Sequence, residues 1–190
     1  DALRRWPDLE APELLATDAV DRLILDESAV ARSEAPDGTI VVIGDAYGAL
    51  TLGSADAAAT GIRVHQDLIA GERALEANAR TAGLTGAFRS MGLGPELVAG
   101  ARVVLLRLPR ALDELDDIAA LIAAHAHPDV VVFGGGRLKH MSLAMNDVLR
   151  RSFARLDVTH ARQKSRVLIA RGALAGQDTR PGEARPPAPA

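Results

Sequence analysis

The sequence contains no cysteine. Disulfides and thiolate metal sites are therefore excluded, and a cytoplasmic setting fits the composition. Aromatic residues make up only 3% of the chain, so Leu, Val, Ile and Ala must build the core. No apolar run reaches the ~18–20 residues of a membrane span, and no signal peptide is visible. There is no G-x-S-x-G elbow for a serine nucleophile. His125-Ala126-His127 runs into Pro128 with no further ligand nearby, so no metal site is assigned. Asp116-Asp117 reads as a solvated pair on a helix exterior.

What is present is a chain of 190 residues, 48% apolar, enough for one domain with a sizeable core and a tail. It begins at Asp1 rather than Met, which suggests a trimmed chain or a fragment. The net charge of −3 hides an asymmetry. Residues 1–130 carry 11 Lys/Arg against 21 Asp/Glu, whereas residues 131–171 carry 9 against 2. A basic segment on an acidic body suggests an edge that faces a polyanion.

Continuously apolar runs alternate with amphipathic ones. Ile40–Ile43, Ile62–His65, Val103–Leu106 and Val130–Phe133 read as strands. Pro12–Ala29, Leu68–Ala82, Ala111–Ala124 and Leu138–Phe153 read as helices, the second with Ile69, Ala74, Leu75 and Ala79 inward and a stop at Gly83. Leu156–Thr159 and Val167–Ala170 are two late strands, and the basic turn between them makes a hairpin at a sheet edge. This pattern means an α/β fold, a mostly parallel sheet covered on both faces with an antiparallel hairpin at its C-terminal end. The domain is expected to span residues 1–172. Residues 173–190 are rich in Pro, Ala and Gly, the composition of a linker leading to something further.

Three places carry candidate chemistry. Gly44-Asp45-Ala46-Tyr47-Gly48 follows the first strand and opens a helix, where a Rossmann-like domain grips its nucleotide. Asp67 stands about 20 residues further on, where such a site binds ribose hydroxyls, or else it caps the helix at Leu68. Phe133-Gly134-Gly135-Gly136-Arg137-Leu138-Lys139-His140 is either a flexible connection or a phosphate cradle. Arg107 and Arg110 are phosphate contacts or surface residues at a helix start. The run Arg150, Arg151, Arg155, Arg162, Lys164, Arg166, Arg171 is the most RNA-like feature. It lacks interleaved aromatics, so any contact is expected to be to the RNA backbone and sensitive to salt.

Leu3-Arg4-Arg5-Trp6-Pro7, Asp18-Ala19-Val20-Asp21, Gly44–Leu50, Leu106-Arg107-Leu108-Pro109-Arg110 and Arg162–Leu168 follow one another in an order and spacing that carry a family likeness. The chain resembles the N-terminal domain of bacterial ribosomal RNA guanine methyltransferases with two tandem methyltransferase-like domains. The resemblance implies a Rossmann-like class I fold that uses S-adenosylmethionine. It also implies a catalytic C-terminal domain, absent here, and an N-terminal duplicate that is itself non-catalytic and assists RNA binding or supports its partner. Two departures agree. Val42 stands where active domains carry an acid, and Ala46 replaces the middle glycine of G-x-G-x-G. Arg107-Leu108-Pro109-Arg110 stands where amine methylases carry Asn-Pro-Pro-aromatic, so no catalytic residue is assigned. The implied partners are ribosomal RNA and the catalytic domain, with no membrane. S-adenosylmethionine is the cofactor of the full-length enzyme, with none expected on this domain. Were the pocket functional, Gly44, Asp45, Gly48 and Asp67 would line it; Arg137, Lys139, Arg162, Lys164 and Arg166 are the RNA-binding candidates. Two rivals are a stand-alone methyltransferase with an atypical loop and a protein-interaction module on the same scaffold.

Overall fold

A computed structural model describes residues 3–11 and 14–174. Seven strands form one sheet in the order β3-β2-β1-β4-β5-β7-β6. The parallel strands are β1 (Ile40–Ile43), β2 (Ile62–His65), β3 (Phe88–Ser90), β4 (Val103–Arg107) and β5 (Val131–Arg137). β7 (Ser165–Ala173) runs antiparallel between β5 and β6 (Phe153–Val158), so the late hairpin closes one edge.

Every residue of β1 is buried, as a strand covered on both faces requires. The pleat divides its side chains. Ile40 and Val42 join a core with α1 (Ala19–Glu34), α2 (Ala49–Asp56) and α3 (Ile69–Ala82). Val41 and Ile43 join a core with α4 (Pro95–Val98), α5 (Leu112–His125) and α6 (Leu143–Ser152). The order of strands reverses at β1 and β4, and the carboxyl ends of those strands flank the crevice where open α/β sheets bind ligands.

Several boundaries differ from the sequence reading. The first helix starts at Ala19, because the Asp18 carboxylate accepts the amides of Val20 and Asp21 while Asp21 reaches back to the amide of Asp18. That capping box fixes the start; Pro12 lies outside the described residues. β3 went unread because Phe-Arg-Ser is short and only one of its residues is apolar. Ile69 points outward at 65% exposure, while Ala74, Leu75 and Ala79 are inward as expected and Gly83 ends the helix. Leu138–His140 is a separate 3-10 turn ahead of α6, and Phe153 starts β6. The linker reading falls mainly on 175–190, outside the described residues; β7 runs to Ala173. Among the described residues no helix is long and apolar enough to cross a membrane.

The glycine run is the largest correction. Gly134, Gly135 and Gly136 are neither a flexible connection nor an open cradle. They lie inside β5, paired to β7 through Leu168, Val167 and Arg166. Their small size serves packing. A methyl at Gly135 would fall 2.5 Å from the Ile24 side chain and 3.0 Å from Val20. α1 therefore sits on the sheet only because no side chain stands there.

Gly135→Ala should lower stability by about 1–3 kcal/mol, through overpacking under α1. Urea denaturation should show the drop, with Gly86→Ala, which meets nothing within 4 Å, as a neutral control. Equal midpoints for the two variants would refute this account of the packing.

Candidate functional site at the carboxyl end of the sheet

A pocket of about 390 Å3 opens beside the glycine loop, lined by Arg5, Asp18, Ala46, Tyr47, Arg107 and Arg137 among others. The topology places it: the loop follows β1, Arg107 ends β4 and Arg137 ends β5. Arg107 is held within the protein rather than free on the surface. Its guanidinium donates to Asp18 at 2.8 Å and 3.2 Å and to Asp21 at 2.6 Å. Arg137 adds a looser contact to Asp18 at 3.5 Å.

Two carboxylates share one half-buried cation, and their ionisation diverges. Burial alone would raise Asp18, but Arg107 and the amides of Asp21 and Val20 outweigh it and hold the carboxyl down to about 2. Burial pushes the more enclosed Asp21 up to about 6 despite Arg107, with Asp18 and Asp45 adding repulsion. Asp45 is fully buried and also raised, chiefly by burial.

The glycine loop turns its polar groups on itself. Gly44 and Gly48 adopt left-handed backbone angles, φ +84° and +95°, that favour glycine. Asp45 points inward, and its carboxylate accepts the amides of Leu50 at 3.2 Å and Thr51 at 2.8 Å. The amino end of α2, the feature that elsewhere receives an anionic ligand, thus holds a carboxylate of its own loop.

Residues ahead of α1 strap across that loop. Asn78, buried on α3, accepts the amide of Arg4 at 2.9 Å and donates to the carbonyls of Arg4 at 2.8 Å and Tyr47 at 2.9 Å. The Tyr47 hydroxyl donates to Asp8, and the Arg5 guanidinium lies 4.7 Å from the centre of the Tyr47 ring. Arg5 also pairs with Asp8 at 3.1 Å. None of Arg5, Asp8, Tyr47 and Asn78 was singled out as a site residue from the sequence; their roles arise from contacts far apart in the chain.

Asp67 lies on the crevice side of β2, but its exposed carboxylate meets His65 at 3.1 Å and caps nothing. The N-cap of α3 is Leu68, which has no side-chain hydrogen bond. The buried polar group at the end of β2 is instead Gln66, whose amide atoms have no hydrogen-bond partner and which packs against Gly71.

The basic candidates do converge. Arg137 pairs in register with Ser165, Gly136 with Arg166, and the Leu138 amide donates to the Lys164 carbonyl at 2.9 Å. Arg137, Lys139, Arg162 and Lys164 are exposed at one corner, where Arg110 meets His140 at 3.3 Å. Arg166 is half-buried, and Arg162 pairs with Asp26 at 3.1 Å. Arg150, Arg151 and Arg171 instead pair locally with Asp147, Asp116 and Asp157.

The model of the RLMG N-terminal domain family matches residues 1–174. Ribosomal RNA large subunit methyltransferase G of Pseudomonas fluorescens is 30% identical over 172 residues, covering 88% of this chain and 44% of that protein. The Streptomyces avermitilis protein of the same name is 29% identical, covering 88% and 43%. The chain therefore spans less than half the length of these relatives. Among solved structures, a T. thermophilus 16S rRNA N2 methyltransferase in complex with AdoMet and guanosine aligns with a TM-score of 0.63 at 20% identity, over 82% of this chain and 43% of that one. The N-terminal domain of EvdMO1 with SAH bound aligns at 0.60 and 15%, over 82% of each. These likenesses establish the class I methyltransferase fold.

Asp21 binds a proton more readily folded than unfolded. Its contribution to stability is therefore complete below pH 4 and is lost as pH rises through 6. The stability difference between the wild type and Asp21→Asn should fall by about 2–3 kcal/mol from pH 4 to pH 6.5. A difference that stays flat across that range would remove the assignment.

Proposed function

Because the chain belongs to the family of RLMG N-terminal domains, we propose that it is the non-catalytic N-terminal part of a ribosomal RNA methyltransferase, engaging RNA through its basic corner and supporting a catalytic domain that follows. The complete protein would transfer a methyl group from S-adenosylmethionine to an exocyclic amine of guanine, with the chemistry done outside this domain.

The observation that carries the non-catalytic reading is the self-satisfied glycine loop. An adenosyl cofactor needs free loop amides, an open path to the loop and a carboxylate for its ribose. Here Asp45 holds the α2 amides, the Arg4–Asp8 strap bonds to Tyr47 and Asn78, and Val42 is wholly buried where an acid would stand. Asp67 is turned to His65. Among the described residues, Gln66 remains as a buried polar group without a hydrogen-bond partner at the end of β2. These residues do not fit the cofactor.

Support for RNA contact comes from charge. The one segment with a strong excess of Lys and Arg is brought to the carboxyl edge, and its exposed cations there are Arg137, Lys139, Arg162 and Lys164. No aromatic ring interrupts them, so binding should be electrostatic and directed at phosphates.

Calorimetric titration with S-adenosylmethionine should give no heat while circular dichroism reports a folded chain. Micromolar binding would restore the stand-alone methyltransferase, with Gly44, Asp45, Gly48 and Asp67 as its loop. In filter binding, RNA affinity should fall steeply with added salt, and the double charge reversal Arg162→Glu/Lys164→Glu should weaken it at least tenfold at low salt, ~10-fold being a modest effect for two lost phosphate contacts. RNA binding indifferent to both salt and the reversals would turn the reading toward a protein-interaction module.

A further inference from the structure

The hairpin between β6 and β7 ends in a turn that its residues do not favour. Arg162 and Ser165 exchange both backbone hydrogen bonds at 2.9 Å, leaving Gln163 and Lys164 as a two-residue loop. Their φ angles are +48° and +59°. Such a loop selects Asn-Gly or similar, because both central residues must enter the left-handed region. Among the described residues only Ala58 shares this feature outside glycine, so two of the three cases are neighbours at one exposed tip.

Strain of this kind persists where the surrounding structure enforces it, and it concentrates at functional positions. The surroundings here are cationic. The Lys164 carbonyl is bonded to the Leu138 amide, which sets the tip beside Arg137 and Lys139. Among the described residues neither Lys139 nor Lys164 has an ion-pair partner, while Arg162 is paired with Asp26. His140 is held below its ordinary range by desolvation first and then by Arg110, Lys139 and Arg137. Gln163 lines a groove of about 240 Å3 between the hairpin and α1, with Arg22 and the Arg162–Asp26 pair on its walls.

Resting on the RNA-contact reading above, we propose that Gln163-Lys164 is a finger that contacts the sugar–phosphate backbone of an RNA helix. The Gln163 amide can both donate to and accept from a 2′-hydroxyl, and the Lys164 ammonium meets a phosphate. A two-residue tip is narrow, and the wide, shallow minor groove of A-form RNA displays those groups. The tip has no aromatic ring with which to stack on an unpaired base. The turn keeps Lys where glycine would be easier for the backbone, and the ammonium is what glycine would lack.

The test is the double substitution Gln163→Asn/Lys164→Gly, which supplies the turn's preferred residues and removes the finger. Thermal unfolding of this variant should move up by roughly 2–4 °C, since strain is relieved. Fluorescence anisotropy with a fluorescein-labelled RNA duplex should show affinity about five- to tenfold weaker and a salt slope shallower by about one. The wild type should prefer that duplex to DNA of the same sequence. Unchanged RNA affinity in the variant, with the wild type binding RNA, overturns the finger and leaves the RNA reading standing. A midpoint that fails to rise overturns the strain argument, and equal affinity for DNA overturns the 2′-hydroxyl contact. A wild type that binds no RNA removes both readings together.

Discussion

The bond from Arg107 to Asp18 and Asp21 sets the geometry of the whole carboxyl edge. It joins the last residue of β4 to the first turn of α1. Asp18 also forms the cap that starts the helix, so one ion cluster decides where α1 begins and where it lies on the sheet. The fit is completed at β5, where the bare backbone of Gly135 receives Ile24. Move α1 and the pocket between its amino end, the glycine loop and Arg137 loses a wall. Removing one partner from this half-buried cluster leaves a charge without its compensation, most costly at Asp21, the most enclosed of the three.

The same cluster shows how a ligand crevice can be occupied by the protein's own groups. Fixed dipoles at a helix start need a negative group, and a bound ligand is only one source of it. Asp45 supplies it internally, and its burial beside Asp18 and Asp21 crowds three carboxylates around one guanidinium. The raised position of Asp21 follows from that crowding. The strap adds a second layer, with Asn78 joining Arg4 and Tyr47 through both ends of one amide. Together the two layers leave the amides of Leu50 and Thr51 and the Tyr47 carbonyl bonded within the protein.

How much of this was legible in sequence depends on the range of the interaction. The strands β1 and β4 were readable because Ile, Val and Leu fill consecutive positions buried on both faces, and β2 because buried Ile62 and Val64 alternate with polar residues. The α1 start was readable in principle from Asp18-x-x-Asp21, a spacing that lets each side chain reach the other's amide. β3 carried no such signal, since its residues are half-buried or exposed. The glycine run misled because a connection and a close-packed strand both demand small residues, and only Ile24, more than a hundred positions away, distinguishes them. At the end of β2 the sequence does not say which of two neighbours turns inward: Gln66 takes the buried orientation and Asp67 the exposed one beside His65. Arg107 looked like a surface cation because its two partners are over eighty residues distant.

Charge followed topology rather than sequence proximity. The basic residues of the final segment are spread over six elements and turns, and alternation along strands would scatter them over both faces. Those with a nearby carboxylate, Arg150, Arg151 and Arg171, are neutralised where they stand. The antiparallel insertion of β7 beside β5 then brings the beginning of one strand against the end of the other, so that Arg137 pairs with Ser165 and the Leu138 amide donates to the Lys164 carbonyl. An all-parallel continuation would have put the start of β7 at the opposite edge of the sheet. The hairpin is therefore what brings exposed cations to the crevice, Lys139 and Lys164 without a carboxylate partner among the described residues and Arg137 and Arg162 each beside one.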